Sequence, residues 1–83
     1  MILSVKTTGL LGRFLPEGSS RNRGDVELAD NSSVRTLLQQ LGIPDDGRCH
    51  VTLNGTMLQA DEIDSTILTE TDQVVLMAPL TAG

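Results

Sequence analysis

Aromatic residues are almost missing from this sequence. It contains no Trp and no Tyr, and Phe14 is its one Phe. A chain with a single aromatic side chain lacks the usual stacking platform for single-stranded nucleic acid. Because 39% of the 83 residues are still hydrophobic, we expect one small domain with an aliphatic core of Leu, Ile, Val and Met.

Cysteine is also scarce, since Cys49 stands alone. A single cysteine excludes an intramolecular disulfide and a cysteine metal cluster, and we expect no bound metal ion or cofactor. Free cysteines are most often buried structural residues. A persulfide on Cys49 assisted by His50 is the less favoured alternative, because adjacent strand residues point to opposite faces.

Basic residues and long apolar runs are lacking too. Six Lys and Arg stand against 11 Asp and Glu, for a formal net charge of −5. Such a surface is repelled by phosphate backbones and anionic lipids, so we expect no nucleic-acid or membrane partner, but a basic groove on a partner protein. Met1–Lys6 is too short and too alternating for a signal peptide, which favours a cytoplasmic location. The acidic clusters Asp45-Asp46 and Asp61–Asp64 lack calcium-loop spacing and are interpreted as solvated turns.

Two strands are predicted in the first third of the chain. Ile2–Thr8 alternates apolar and polar residues, and Val26 and Leu28 alternate with polar neighbours in a second strand that pairs antiparallel with the first. Pro16–Gly24 reads as a loop. A short helical turn that caps the core is expected from Leu10, Leu11, Phe14 and Leu15.

One amphipathic helix is the clearest local prediction. Spacings of i, i+3, i+4 and i+7 give a single apolar stripe, formed by Val34, Leu37, Leu38 and Leu41. Ser33 (or Ser32) is the expected N-cap, Gly42 the residue that ends the helix, and Pro44 prevents its continuation.

The second half of the sequence predicts three more strands. Val51 and Leu53 mark the third strand, which the tight turn Asn54-Gly55 ends. Met57-Leu58 is a short return strand, and Gln73–Ala78 is the final strand. The segment before this last strand has no clear structure, with isolated apolar residues at Ile63, Ile67 and Leu68. One helix across one mixed sheet buries these stripes most economically.

Several short pieces carry a family resemblance that covers nearly the whole chain. They are Gly12–Gly18, Ser33-Val34 with Leu37-Leu38, Leu41–Pro44, Val51–Gly55, and Leu68–Val74 leading to Pro79. The chain resembles the ubiquitin-like β-grasp fold and, more narrowly, the bacterial sulfur carriers of molybdenum-cofactor and thiamine biosynthesis. The long first loop resembles the molybdenum-cofactor branch more. The resemblance implies an α+β domain over residues 1–78, with a mixed four- to five-stranded sheet and one main helix across one face, followed by a flexible tail over 79–83.

The resemblance also implies a chemistry for the tail. The carboxylate of Gly83 would be adenylated by a ubiquitin-activating-like partner enzyme that uses ATP, and then converted to a thiocarboxylate. A synthase subunit would accept the sulfur, and the chain itself would be a carrier and no enzyme. Leu80, Thr81 and Ala82 would thread the partner's channel. The family's tail ends in Gly-Gly, whereas here the methyl group of Ala82 restricts the penultimate position.

The last strand is apolar on both faces. Val75 and Met77 alternate with Val74 and Leu76. In a β-grasp domain the helix covers only one face, so Val75 and Met77 are expected to form a docking patch for a partner. A strand covered on both sides is the alternative explanation.

Other function classes remain open at this point. A non-covalent β-grasp interaction module or a ubiquitin-like protein modifier fits the same pattern. A free-standing enzyme fits poorly, because the sequence offers no nucleophile–base pair, metal site or phosphate-binding loop.

Overall fold

The computed structural model describes residues 1–43 and 49–78 of the chain. Its elements are β1 (Ile2–Thr7), a 3₁₀ helix (Gly9–Phe14), β2 (Arg23–Glu27), α1 (Val34–Leu41), β3 (His50–Leu53), β4 (Thr56–Met57), α2 (Ala60–Ser65) and β5 (Val74–Met77). All five predicted strands and the main helix are confirmed. The second strand starts at Arg23, inside the segment predicted as a loop.

A mixed five-stranded sheet with the order β2-β1-β5-β3-β4 organises the described residues. β1 pairs antiparallel with β2 and parallel with β5, and β3 pairs antiparallel with both β5 and β4. The first and last strands therefore lie side by side in the middle of the sheet. This α+β arrangement confirms the expected ubiquitin-like β-grasp fold.

Side-chain alternation decides which face of the sheet is covered. In β1, Leu3, Val5 and Thr7 are buried and the residues between them are exposed. Residues paired in register share a face, so Val26 of β2 and Leu76 of β5 lie on the covered side with them. We call the opposite side the open face. It carries Ser4 and Lys6 of β1, Arg23, Asp25 and Glu27 of β2, Val75 and Met77 of β5, and His50 and Thr52 of β3.

Helix α1 begins and ends at its capping residues. The backbone N–H of Thr36 donates to Ser33 Oγ at 3.2 Å, which satisfies one of the free amides of the first turn. Gly42 ends the helix in the left-handed conformation with φ of 77°, where a residue with a Cβ is strained. Its N–H donates back to the carbonyl of Gln39. Ser33, and not Ser32, is thus the N-cap, whereas Pro44 lies outside the described residues.

The core is aliphatic, as the composition predicts. Its fully or nearly fully buried members are Leu3, Val5, Val26, Leu28, Val34, Leu37, Leu38, Ile43, Val51, Leu68, Val74 and Leu76. Burying one such side chain stabilises the fold by about 1.5–3 kcal/mol. The fourth residue of the predicted helical stripe, Leu41, is only half-buried at the edge of this cluster, as is Phe14.

The segment after β1 is a 3₁₀ helix whose apolar residues do not all face the core. Leu11, Phe14 and Leu15 are half-buried and pack against the core, whereas Leu10 is 79% exposed. Because a 3₁₀ helix has three residues per turn, Leu11 and Phe14 align on one side and Leu10 points elsewhere. The prediction of a capping turn is confirmed, and its inclusion of Leu10 is wrong.

The connecting segment before β5 forms a short helix, α2, that the sequence pattern did not predict. The backbone N–H of Gln59 donates to the side chain of Glu62 at 2.8 Å, as part of a capping box. Asp61 lies in the same first turn, and Asp64 forms an ion pair with Arg35 of α1 at 2.7 Å. The interpretation of this acidic cluster as a solvated turn is therefore wrong, because it begins a helix and links it to α1. Asp45-Asp46 lies outside the described residues.

Candidate functional site

The end of β5 is held firmly against the end of β1. The N–H of Ala78 donates to Thr8 Oγ1 at 2.8 Å, and the N–H of Thr8 donates to the Leu76 carbonyl at 3.0 Å. Gly9 has a left-handed φ of 56°, and a Cβ there would lie 3.3 Å from the Cβ of Ala78. A glycine at this position thus allows the two chain segments to come close. Ala78, which we call the root of the C-terminal tail, is therefore held at the point where β1 ends.

A side-chain amide supports this root from the other side. Asn22 Nδ2 donates to Thr7 Oγ1 at 3.0 Å and to the Gly9 carbonyl at 3.2 Å. The N–H of Thr7 in turn donates to the Asn22 carbonyl at 2.9 Å. The loop before β2 is therefore tied to the same corner of the sheet as the root of the tail.

The tail itself lies outside the described residues. Gly83, expected to carry the sulfur, and Leu80, Thr81 and Ala82, expected to enter the partner's channel, belong to the range 79–83. Their roles stay predictions, as does the division into a domain over 1–78 and a tail over 79–83.

Val75 and Met77 lie on the open face, close to the root of the tail. Both side chains are half-buried. Val75 lies in register with Lys6 and Thr52, and Met77 Sδ lies 4.0 Å from Thr52 Oγ1. These neighbours shield part of each apolar side chain and leave the rest open to solvent. The position suits the expected docking patch, whose function stays a prediction.

The start of β5 is held by side-chain hydrogen bonds of Asn54 and Asp72, which we call the clasp. The sequence pattern did not predict them. Asn54, in the turn after β3, donates through Nδ2 to Asp72 Oδ1 at 3.0 Å and accepts the Gln73 N–H through Oδ1 at 2.8 Å. The Thr69 N–H donates to Asp72 Oδ2 at 2.8 Å. The hydrogen bond from Asn54, with that from Thr69, lowers the pKa of the Asp72 carboxyl. The clasp therefore holds the N-terminal end of β5, whereas the tail follows the C-terminal end of the strand.

Cys49 and His50 do not form a reactive pair. Burial raises the pKa of the Cys49 thiol, and its Sγ lies 3.9 Å from the backbone carbonyl of His50. The His50 side chain is exposed and lies in register with Met77 on the open face. Cys49 packs against the core, which supports its interpretation as a structural residue. Within residues 1–43 and 49–78, no three His, Cys, Asp or Glu side chains gather as a metal site requires.

Comparison with known protein families gives one match. The model of the ThiS family matches residues 18–83, which is most of the chain. A search of curated proteins finds no match. In the part of the chain that the structure describes, no helix has the length and apolar character to cross a membrane.

Several solved structures share this fold. The thiamine biosynthesis protein ThiS from Geobacter metallireducens has a TM-score of 0.62 at 20% identity, covering 98% of this chain and 100% of its own. SAMP1 from Haloferax volcanii has a TM-score of 0.66 at 18% identity, covering 100% of both chains. A complex of subunits 1 and 2 of the molybdopterin-converting factor from Helicobacter pylori matches with a TM-score of 0.57 at 20% identity, again over 100% of both chains. At these identities the likeness establishes the fold.

The clasp at Asp72 gives a pH-dependent contribution to stability. A carboxyl whose folded pKa is depressed stabilises the protein above its unfolded pKa of about 3.9, and this contribution is lost as the pH falls through the folded value. We expect Asp72→Asn to lower the free energy of unfolding by about 1 kcal/mol at neutral pH. The deficit should shrink as the pH falls below about 4. Urea unfolding of both proteins across this pH range measures it.

Glu70→Gln is the matched control for this experiment. Glu70 is an exposed carboxylate in the same turn, and its side chain makes no hydrogen bond within the described residues. Its variant should unfold with the same free energy as the wild type at neutral pH. A pH-independent deficit in Asp72→Asn, or an equal deficit in Glu70→Gln, would contradict the role of the charged clasp.

Proposed function

The chain belongs to the ThiS family of ubiquitin-like sulfur carriers and modifiers, and we propose that it is a sulfur carrier whose Gly83 becomes a thiocarboxylate. The observation that carries the proposal is the reach of the family match, which runs from Gly18 through the last strand to Gly83. The fixed root of the tail supports it, because a carrier needs a stable platform from which its terminal residues extend.

The proposed chemistry explains why a partner has to supply the catalysis. A carboxylate is a poor electrophile, so the Gly83 carboxylate first attacks the α-phosphate of ATP and pyrophosphate leaves. Hydrosulfide, or a donor that releases sulfur at this oxidation level, then attacks the acyl carbon of the adenylate. AMP leaves with the bonding electrons, a proton is lost, and the thiocarboxylate remains. The thiocarboxylate sulfur is a better nucleophile than the carboxylate oxygen it replaces. In this scheme the chain supplies the arm and its docking surface, binds no cofactor, and is no enzyme by itself.

We assign the chain to the molybdopterin type of sulfur transfer. The support is the long segment between β1 and β2, residues 8–22, which resembles the molybdenum-cofactor branch more than the thiamine branch. The fold comparisons do not separate the branches, because the molybdopterin-converting factor complex matches with a TM-score of 0.57 and the ThiS structure with 0.62, both at 20% identity. Sulfur transfer to a pterin precursor and to a thiazole precursor, measured side by side, separates the two branches.

Two partners follow from the proposal. The first is the cytoplasmic adenylating enzyme, whose channel would receive Leu80, Thr81 and Ala82. The second is a synthase subunit that accepts the sulfur, by analogy with the two-subunit molybdopterin-converting factor. Val75 and Met77 on the open face form the docking patch in this proposal, because they lie beside the tail's root and remain partly open to solvent.

A ubiquitin-like protein modifier is the second candidate. The fold likeness to SAMP1, a small archaeal modifier protein, favours it specifically. A modifier would form an isopeptide bond between Gly83 and a lysine of another protein. Conjugates of this kind in cells, without a thiocarboxylate, would replace the carrier proposal with the modifier.

Intact mass tests the carrier proposal. We expect incubation with the cognate adenylating enzyme, ATP and a sulfur donor to replace one oxygen of the chain by sulfur, with the change located at Gly83. Omitting ATP should leave the mass unchanged. An unchanged mass in the complete reaction would contradict the proposal. Ala82→Gly run in parallel shows what the methyl group does to the rate, because glycine restores the Gly-Gly ending.

Charge at Met77 tests the docking patch. We expect Met77→Glu to weaken binding to the adenylating enzyme about tenfold or more, because a central apolar contact is replaced by a charge. The melting temperature should change little, since Met77 is not in the buried core. Ile67→Glu is the control, because Ile67 is 50% exposed and lies outside the open face. Unfolding of Met77→Glu, or equal binding by both variants, would show that the patch is not the docking surface.

A further inference from the structure

Two of the chain's few cations lie directly opposite each other on the open face. The register of β1 and β2 pairs Lys6 with Arg23, and both side chains are exposed. Like charges at directly opposed positions of antiparallel strands destabilise a sheet. This pairing is notable in a chain with six basic residues and a net charge of −5. The fold places two positive charges together where a neutral pair would be more stable.

The two cations border a shallow pocket that presents hydrogen-bond donors. Its volume is about 240 Å³, and its lining residues are Ser4, Lys6, Arg23, Gln73, Val74 and Val75. A hydroxyl, an ammonium, a guanidinium and an amide thus surround it, without an acidic side chain in the lining. Asp25 lies nearby on β2, in register with Ser4. It forms no ion pair with Lys6 or Arg23 in the described part of the chain.

We propose that this pocket binds a carboxylate from an acidic segment of the partner enzyme that adenylates the tail, a local contact distinct from the basic groove expected to face the chain's acidic surface. The proposal rests on the proposed function, since it names a contact of that partner. A planar guanidinium binds a carboxylate through two parallel hydrogen bonds, and a neighbouring ammonium adds a point charge. Val75 lines the pocket and also belongs to the docking patch, so both surfaces are continuous.

The position of the pocket favours a protein carboxylate over the phosphates of the nucleotide. The pocket lies along the first half of β5, beside Gln73, Val74 and Val75, and Lys6 lies in register with Val75, three residues before Ala78. In an extended strand the three residue steps from Val75 to Ala78 span about 10 Å, and the four steps from Val74 to Ala78 span about 13 Å. The proposed adenylation site is Gly83, five residues after Ala78 in sequence. A carboxylate held on the open face beside Val75 would instead orient the whole domain on its partner.

Replacing Lys6 by an acid distinguishes a role in partner binding from a role in the stability of the fold. Lys6→Glu places an acid opposite Arg23, and we expect the melting temperature to rise by about 1–6 °C. Affinity for the cognate adenylating enzyme should fall about tenfold and lose part of its dependence on salt.

Arg21→Glu is the matched control, because it changes the net charge equally. Arg21 is exposed and does not line the pocket. The control should keep affinity within about threefold, because its effect is confined to screened long-range attraction. Equal losses in the two variants would overturn the proposal.

A titration without the partner keeps the pocket testable if the carrier function fails. We expect a hexaglutamate peptide, added to the isotopically labelled chain, to shift the amide resonances of Lys6, Arg23 and Gln73 and to lose this effect in Lys6→Glu. ATP at the same concentration should shift them less. Absent shifts, or stronger shifts with ATP, would overturn the carboxylate proposal. Loss of sulfur transfer with the hexaglutamate shifts intact would count against the proposed function alone.

Discussion

The parallel pairing of β1 with β5 is the constraint on which the rest of this structure depends. It joins the first and last strands in the middle of the sheet, and every other element lies between them in sequence. β2 and β3 attach on either side, and α1 closes the covered face over Leu3, Val5 and Leu76. Because β5 is flanked by two strands and clasped at its start, the tail departs from one of the best-supported points of the fold.

Features set by neighbouring residues could be predicted from the sequence. The caps and stripe of α1, the Asn54-Gly55 turn and the alternation that puts Val75 and Met77 on the open face all depend on short spacings. Helix α2 was not predicted because it is short and has little apolar periodicity. Its N-cap is Gln59, which is not one of the residues that typically cap a helix. Leu10 was misplaced because the 3₁₀ period of three differs from the α-helical period.

Features set by strand register could not be predicted in this way. Lys6 and Arg23 become neighbours only through the pairing of β1 with β2, and the Asn54–Asp72 clasp depends on how two turns meet. Both contribute to the candidate site, which spans the open face from the clasp to the tail's root. The residues of the tail could be identified through the family resemblance, and their proposed role depends on a partner protein. The local geometry of the domain was thus more predictable from the sequence than the chemistry of its open face.

The central claim is that the chain offers the Gly83 carboxylate for activation by a partner. Exchange of labelled pyrophosphate into ATP, catalysed by the cognate adenylating enzyme, reports that activation before any sulfur is involved. We expect exchange with the chain that ends at Gly83 and none with a chain that ends at Ala82, and we expect both chains to bind the enzyme. Equal exchange with the two chains, or no exchange with a full chain that binds, would contradict the central claim.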